Sequence, residues 1–153
     1  MSLDRYRTAI VTGASRGIGA AIVRQLRIGG LDVWAVARSA DDLSELARET
    51  GCRPLALDIS HRDAVLSAMS GLDADILVNN ASALVRGGLS WETAPDAIDQ
   101  LTAVNIKGAL NCLAATVPGM KARGRGHIVN LGSIAAVSPI PGMPVYALSL
   151  IHI

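Results

Sequence analysis

The sequence predicts a doubly wound α/β fold, a parallel sheet of about five strands with helices on both faces. Short β-branched apolar runs alternate with longer segments of helical period from residue 8 onward. The short runs are apolar along their whole length, the pattern of strands buried on both faces. A glycine-rich turn, TGASRGIG at residues 12–19, joins the first apolar run to the first helical one.

Size and composition allow this. The chain has 153 residues, enough for one domain with a sizeable core, and 50% of them are hydrophobic. With 0 Phe, 2 Trp and 2 Tyr, the core must be built from Ala, Val, Ile and Leu. The 14 basic and 13 acidic residues leave a formal charge of +1, which gives no reason to expect nucleic acid or a membrane surface as partner. Cys52 and Cys112 lie far apart without metal-ligand spacing and read as ordinary buried thiols, so no metal site is expected. The polar start, residues 1–7, is not a signal peptide, and no apolar run reaches the roughly 18 residues of a membrane span. The expectation is a single domain over residues 1–153 in a reducing cytoplasm.

TAIVT (Thr8–Thr12) is the first strand, bounded by Gly13. The helix that follows puts Ile18, Ile22, Val23 and Leu26 on one face and stops at Gly29 and Gly30. DVWAVA (Asp32–Ala37) is the second strand. Ser39 caps the next helix, Asp41 and Asp42 suit the dipole of its first turn, and Gly51 ends it. RPLAL, residues 53–57, is the third strand, and Ser60 caps a helix over residues 60–70 with Asp63 at its third position. DILVN, residues 75–79, is the fourth strand, and residues 80–93 form a loop. Helical patterns cover residues 95–107 and 108–120, with Pro118 weakening the end of the second. GHIVNLG, residues 126–132, is the fifth strand; the proline-rich residues 138–144 are a loop, and a helix begins near Val145.

One glycine in the first turn would satisfy a tight bend, but Gly13, Gly17 and Gly19 together suggest more. Without Cβ atoms the backbone can approach a pyrophosphate, while the helix N-terminus offers free N–H groups and the positive end of its dipole. No Lys-Ser or Lys-Thr follows, so this is not a nucleoside-triphosphate loop. The reading is a nucleotide-phosphate cradle over residues 12–19 that includes Ser15 and Arg16.

The chain resembles the short-chain dehydrogenase/reductase family, in its classical branch. Members carry T-G-x-x-x-G-I-G here, and Thr12, Gly13, Gly17, Ile18 and Gly19 match it. The likeness continues through LDIS with Asp58, NNAS at residues 79–82, VNIKG with Asn105, IVNLGSIAA with Ser133 and VY with Tyr146. It covers roughly residues 8–148, with the motifs in the family's order. It implies a Rossmann-type fold whose C-terminal strands are missing here, and an NAD(P)-dependent oxidoreductase that moves hydride between a nicotinamide and a carbonyl or secondary alcohol.

The resemblance also implies roles. An acid at the end of the second strand would hold the ribose of NAD; here Arg38 follows it, and with Arg16 it suits a 2′-phosphate. NADP(H) is therefore favoured, and NAD(H) stands as the alternative, with Asp41 or Asp42 reaching the ribose. Asp58, with Ile59, is expected at the adenine ring, although Asp58 could instead cap the following helix. Asn79 and Asn80 brace the strand ends through neighbouring backbone, and the small Ala81 lets the cofactor lie close. Ser82 stands where the family usually has glycine. Asn105 is a poor helix former inside a helical pattern, and the family gives it a main-chain-bound water in a proton relay. Ser133 would position the substrate oxygen and Tyr146 would exchange its proton. Residues 83–89 and 134–143, both largely apolar, are candidate pocket lining.

The likeness breaks at Leu150. Family members have a lysine there, one turn after the tyrosine, which holds the nicotinamide ribose and stabilises a phenolate whose free pKa is about 10. Leucine supplies neither charge nor hydrogen bond. The closing LIHI leaves the family pattern altogether, so a truncated reading with a foreign tail from about Ser149 or Leu150 is expected; a genuine non-catalytic relative is the alternative. The chain is expected to be a poor enzyme, its partner a small carbonyl or alcohol, its full-length form a homo-oligomer and its fifth strand an aggregation-prone edge. A dinucleotide-binding regulatory or scaffold protein is the second functional reading.

Overall fold

β-Branched and small apolar residues fit a pleated surface covered on both sides, and all five short runs are strands in the computed structural model, which describes residues 5–85, 90–138 and 140–151. Residues 86–89 and 139 of the expected pocket lining, residues 1–4 of the polar start and residues 152–153 of the tail lie outside the described residues. The strands are β1 (Thr8–Thr12), β2 (Asp32–Ala37), β3 (Arg53–Ala56), β4 (Ile76–Asn79) and β5 (His127–Asn130). They form one sheet in the order β3-β2-β1-β4-β5, with every pairing parallel. The order reverses between β1 and β4, the place where an open α/β sheet leaves a crevice at its strands' C-terminal ends.

Successive side chains of a strand point to opposite faces, and both faces are filled. Ala9, Val11, Val33, Ala35, Ile76 and Val78 meet Val23 of α1 (Gly17–Ile28) and Leu43 and Leu46 of α2 (Ala40–Thr50). Ile10, Val36 and Leu77 meet Val65 and Met69 of α3 (Arg62–Met69) and Cys112, Ala115 and Met120 of a later helix. This two-sided burial is why the inner strands β1, β2 and β4 read as unbroken apolar runs; β3 and β5, expected to be buried likewise, are largely exposed because each stands at an edge of the sheet, and the core is aliphatic as expected. Both cysteines are free and buried.

Local signals largely place the helices. Ser39 accepts from the Asp42 N–H at 3.4 Å, and Gly51 closes α2 at φ 69°. Elsewhere the structure differs from the sequence reading. Ile18, expected on the buried face of α1, is 66% exposed, because the first turn of α1 lies beyond the end of β1. Ser60 does not cap α3: its N–H and hydroxyl donate to Asp58 Oδ1 at 2.9 and 2.7 Å, His61 takes the cap position, and Asp63 becomes the second helical residue. The two helical patterns after residue 95 are one continuous run: α4 (Pro95–Leu101), a π-helical segment (Thr102–Gly108) and α5 (Ala109–Ala122). Pro118 sits inside α5 on its exposed side, where water can take the freed carbonyl, and the helix passes it. Short 3-10 turns form at Ser90–Glu92 and Ile134–Ala136, and α6 (Pro144–Ile151) starts on a proline, whose missing N–H costs nothing at a first helical position.

The N-terminal rim of the sheet is tied by Asp75, which is 1% exposed. Its Oδ2 accepts from the Arg7 N–H at 2.8 Å and its Oδ1 from Arg125 Nε at 2.8 Å. Burial alone would favour the neutral acid, but the bonds from Arg125 and from the Arg7 and Thr8 amides outweigh it and hold the carboxyl below its ordinary pKa. Among the described residues β5 pairs with β4 alone, leaving its other edge open. Beside it an apolar groove of about 280 Å³ runs between Ile22, Leu26, Val78, His127 and Val129. No described helix is long and apolar enough to cross a membrane.

Candidate active site

Because the strands run the same way, their C-terminal ends meet at one rim, and the expected site residues gather there. The floor is Thr12. Its buried hydroxyl donates to the Val78 carbonyl at 3.3 Å and accepts from the Asn80 and Ala81 N–H groups at 3.1 Å each. Asn80 returns two bonds, from Nδ2 to the carbonyl oxygens of Thr12 (2.8 Å) and Gly13 (3.1 Å). The turn after β1 and the turn after β4 are thus clamped together by side chains on both. Asn79, expected to bond backbone, instead donates from Nδ2 to Asn130 Oδ1 at 2.9 Å and bridges β4 to β5.

The clamp requires glycine. A Cβ at Gly13, which has φ +64°, would lie 2.7 Å from Ala81 Cα; one at Gly19 would lie 2.6 Å from Asn80 Nδ2. Gly17, at φ +58°, faces open space. Arg16 occupies the N-cap position of α1 in an extended conformation, and among the described residues no side chain caps this helix and no acid stands in its first turn. Its first N–H groups and positive dipole end therefore face the crevice, as a diphosphate group would need. Ser15 is half-buried in the same turn, and Arg16 and Ile18 are exposed at its mouth. These features fit a dinucleotide.

At the far side of the crevice Arg38 is exposed just past β2. Burial favours a neutral Asp58, but the Ser60 bonds and the charges of His61 and Arg38 overcome this and lower its pKa, so the three ionic groups lie within electrostatic reach of one another. Ile59 contributes little side chain to the crevice. It is buried against Gly108, where a Cβ would come within 2.7 Å of Ile59 Cδ1, and its carbonyl accepts from Asn111 Nδ2 at 3.0 Å.

Asn105, 1% exposed, lies in the π-helical segment. Such wide turns often mark functional positions. Its Oδ1 accepts from the Ala83 N–H at 2.7 Å and the Ser82 hydroxyl at 3.3 Å; its Nδ2 donates to the Ala83 carbonyl at 3.1 Å and to Ser149 Oγ at 2.9 Å. Ser149 Oγ donates in turn to the Tyr146 carbonyl at 2.8 Å. Ser133 follows β5, and its Oγ accepts from the Ala135 N–H at 3.2 Å, capping the 3-10 turn and leaving its own proton free to donate. α6 packs against that turn and the π-helical segment, with Tyr146 half-buried. Leu150 is 5% exposed, its side chain turned into the protein. No metal-binding cluster of His, Cys, Asp or Glu occurs among the described residues.

A parallel sheet with a glycine turn clamped against the turn after its fourth strand has counterparts. The family description "short chain dehydrogenase" matches residues 7–149, nearly the whole chain. The chain belongs to the short chain dehydrogenase family. The match includes Ser149. The chain is 36% identical over 144 residues to an uncharacterised short-chain type dehydrogenase/reductase of Sinorhizobium fredii, covering 94% of this chain and 58% of that protein. It is 38% identical over 144 residues to the L-xylulose reductase of Mus musculus, covering 92% of this chain and 58% of that one. A metagenomic short-chain oxidoreductase solved in complex with NADP superposes with a TM-score of 0.90 at 38% identity, over 94% of this chain and 70% of that one. The chain thus spans under three fifths of the length of these curated relatives.

The sequence reading did not assign Ser149 a role. The available signal was a lone small polar residue one turn after Tyr146, inside an otherwise apolar helix.

Proposed function

We propose that this short chain dehydrogenase binds NADP(H) in preference to NAD(H) and represents the dinucleotide-binding domain of a reductase for small carbonyls or secondary alcohols. The clamp of Thr12, Gly13, Asn80 and Ala81 under an uncapped helix N-terminus carries this reading. Thr12, Gly13, Ser15, Arg16, Gly17, Ile18 and Gly19 would hold the diphosphate, Arg16 and Arg38 the 2′-phosphate, Asp58 the adenine edge, and Asn80 and Ala81 the wall beneath the dinucleotide. The nicotinamide, when bound, supplies or accepts the hydride. Ser133 orients the substrate oxygen by its free hydroxyl proton, Tyr146 gives or takes the oxygen's proton, and Asn105 holds the wall on which they stand. The relatives support this reading, since one was solved with NADP and another is named a reductase.

Leu150 limits the chemistry. No cation stands one turn from Tyr146 to favour its phenolate, so turnover is expected below about one hundredth of that of a lysine-bearing relative. The same buried leucine favours a second reading, a dinucleotide-binding protein without catalysis. The domain would act as one unit over residues 1–153 in the cytoplasm, with the full-length form a homo-oligomer. The test is a fluorescence titration with NADPH and NADH, then a carbonyl panel on the chain and on Leu150→Lys. NADPH binding with carbonyl turnover only in Leu150→Lys supports the reductase; binding without turnover in either supports the second reading; no binding refutes both.

A further inference from the structure

Ser149 has a place in the site that the dehydrogenase reading leaves without a task. It is 4% exposed, in an eight-residue helix that is otherwise apolar. Its one proton goes to the Tyr146 carbonyl at 2.8 Å, and a lone pair receives Asn105 Nδ2 at 2.9 Å. The first bond fixes the hydroxyl's rotation, so the second fixes where the helix lies. Asn105 is itself anchored on both backbone groups of Ala83. One amide therefore joins the loop after β4 to α6, and Ser149 is its point of attachment there.

The other buried residue of α6 is Leu150, and apolar contact has no direction and resists rotation about the helix axis weakly. Rotation matters here. A phenol oxygen stands roughly 9 Å from its helix axis, from helix radius plus side-chain length. A turn of about 20° would move it about 3 Å, a whole hydrogen-bond length, whereas misplacement by about 1 Å already costs on the order of a hundredfold in rate.

We propose that Ser149 is a positioning residue for Tyr146: its hydroxyl locks α6 to the Asn105 amide and so fixes the direction of the phenol into the crevice. The consequence for catalysis rests on the dehydrogenase reading; the lock itself does not. The test uses the whole chain labelled with 3-fluorotyrosine. The sequence has 2 tyrosines, so there are two fluorine resonances, which Tyr6→Phe assigns. The wild-type Tyr146 line is expected to be single and narrow. Ser149→Ala should broaden it at least twofold or split it, while Tyr6 keeps its position and width. Asn105→Ala should do the same, and the double variant should add nothing. Ser149→Cys, of similar size with weaker bonds, should fall between wild type and alanine, and decides the matter if the alanine variant does not fold. An unchanged Tyr146 line, an equal change at Tyr6, or additive effects in the double variant would each overturn the proposal. A parallel NADPH titration of the wild type keeps the two claims apart: absence of binding overturns the dehydrogenase reading, while the fluorine lines still decide the lock.

Discussion

Gly19→Ala adds one carbon at the tightest point of the crevice. The new Cβ would overlap the Gly13 carbonyl oxygen and stand 2.6 Å from Asn80 Nδ2 and 2.8 Å from the Gly13 carbonyl carbon. Gly19 is not among the glycines with positive φ, so alanine brings no backbone strain and would favour the helix by about 1 kcal/mol. Opposing this are overpacking against backbone atoms that cannot swing aside, about 1–3 kcal/mol, and loss of the Asn80–Gly13 bond, about 1 kcal/mol. The net is about 1–3 kcal/mol of destabilisation, a fall in Tm of roughly 3–10 °C for a chain of this size. Since the displaced atoms floor the proposed phosphate cradle, NADPH affinity should drop about tenfold or more, some 1.4 kcal/mol. Thermal unfolding by circular dichroism and NADPH fluorescence measure both. Gly71→Ala, whose Cβ meets nothing within 4 Å, is the control and should be neutral. If Gly19→Ala melts with the control and binds NADPH as wild type does, the crevice floor is not packed to backbone contact and the reasoning fails.

Asp75→Asn should lose about 2–4 kcal/mol in urea unfolding, because it weakens charge-assisted bonds to Arg125 in a buried place. The folded-state pKa of Asp75 lies below its unfolded value of about 3.9. Its contribution is therefore present above that unfolded value and lost as pH falls through the folded one; wild type should weaken steeply below about pH 4, and Asp75→Asn less so. Arg38→Ala should raise the NADPH dissociation constant at least about tenfold while changing that of NADH less than about threefold; equal losses for both would remove the 2′-phosphate assignment. Burial pushes the Cys112 thiol up to about 12, so iodoacetamide at pH 8 should label it only after unfolding, as mass mapping would report.

The inner strands were legible because two-sided burial leaves a one-dimensional mark, an unbroken apolar run; the edge strands β3 and β5 carry apolar residues although most of theirs stay exposed. The tight turn after β1 was legible because glycine is the one residue that tolerates both the positive φ of Gly13 and the close approach at Gly19. Ile18 was misplaced because helical periodicity carries no information about where the sheet beneath a helix stops. Asn105 stood out as a poor helix former, yet the wide turn around it depends on contacts with Ala83 and Ser149, 22 and 44 residues away. Ser60 has the composition of a cap but found a nearer acceptor in Asp58. The family motifs named Ser133 and Tyr146 together; the structure adds the Ala135 amide bonded to Ser133 and the Ser149 hydroxyl bonded to the Tyr146 carbonyl.

The clamp on Thr12 has a consequence for how the protein is born. Its partner Asn80 is 68 residues further along. At synthesis rates of about 5–20 residues per second, the first strand waits roughly 3–14 s on the ribosome for the amides that complete its turn. During that time the nascent glycine loop has neither Asn80 nor Ala81 to hold it. The crevice therefore closes only when β4 slots beside β1, and slowing translation between codons 12 and 80 would lengthen the interval in which proteases and chaperones meet an open loop.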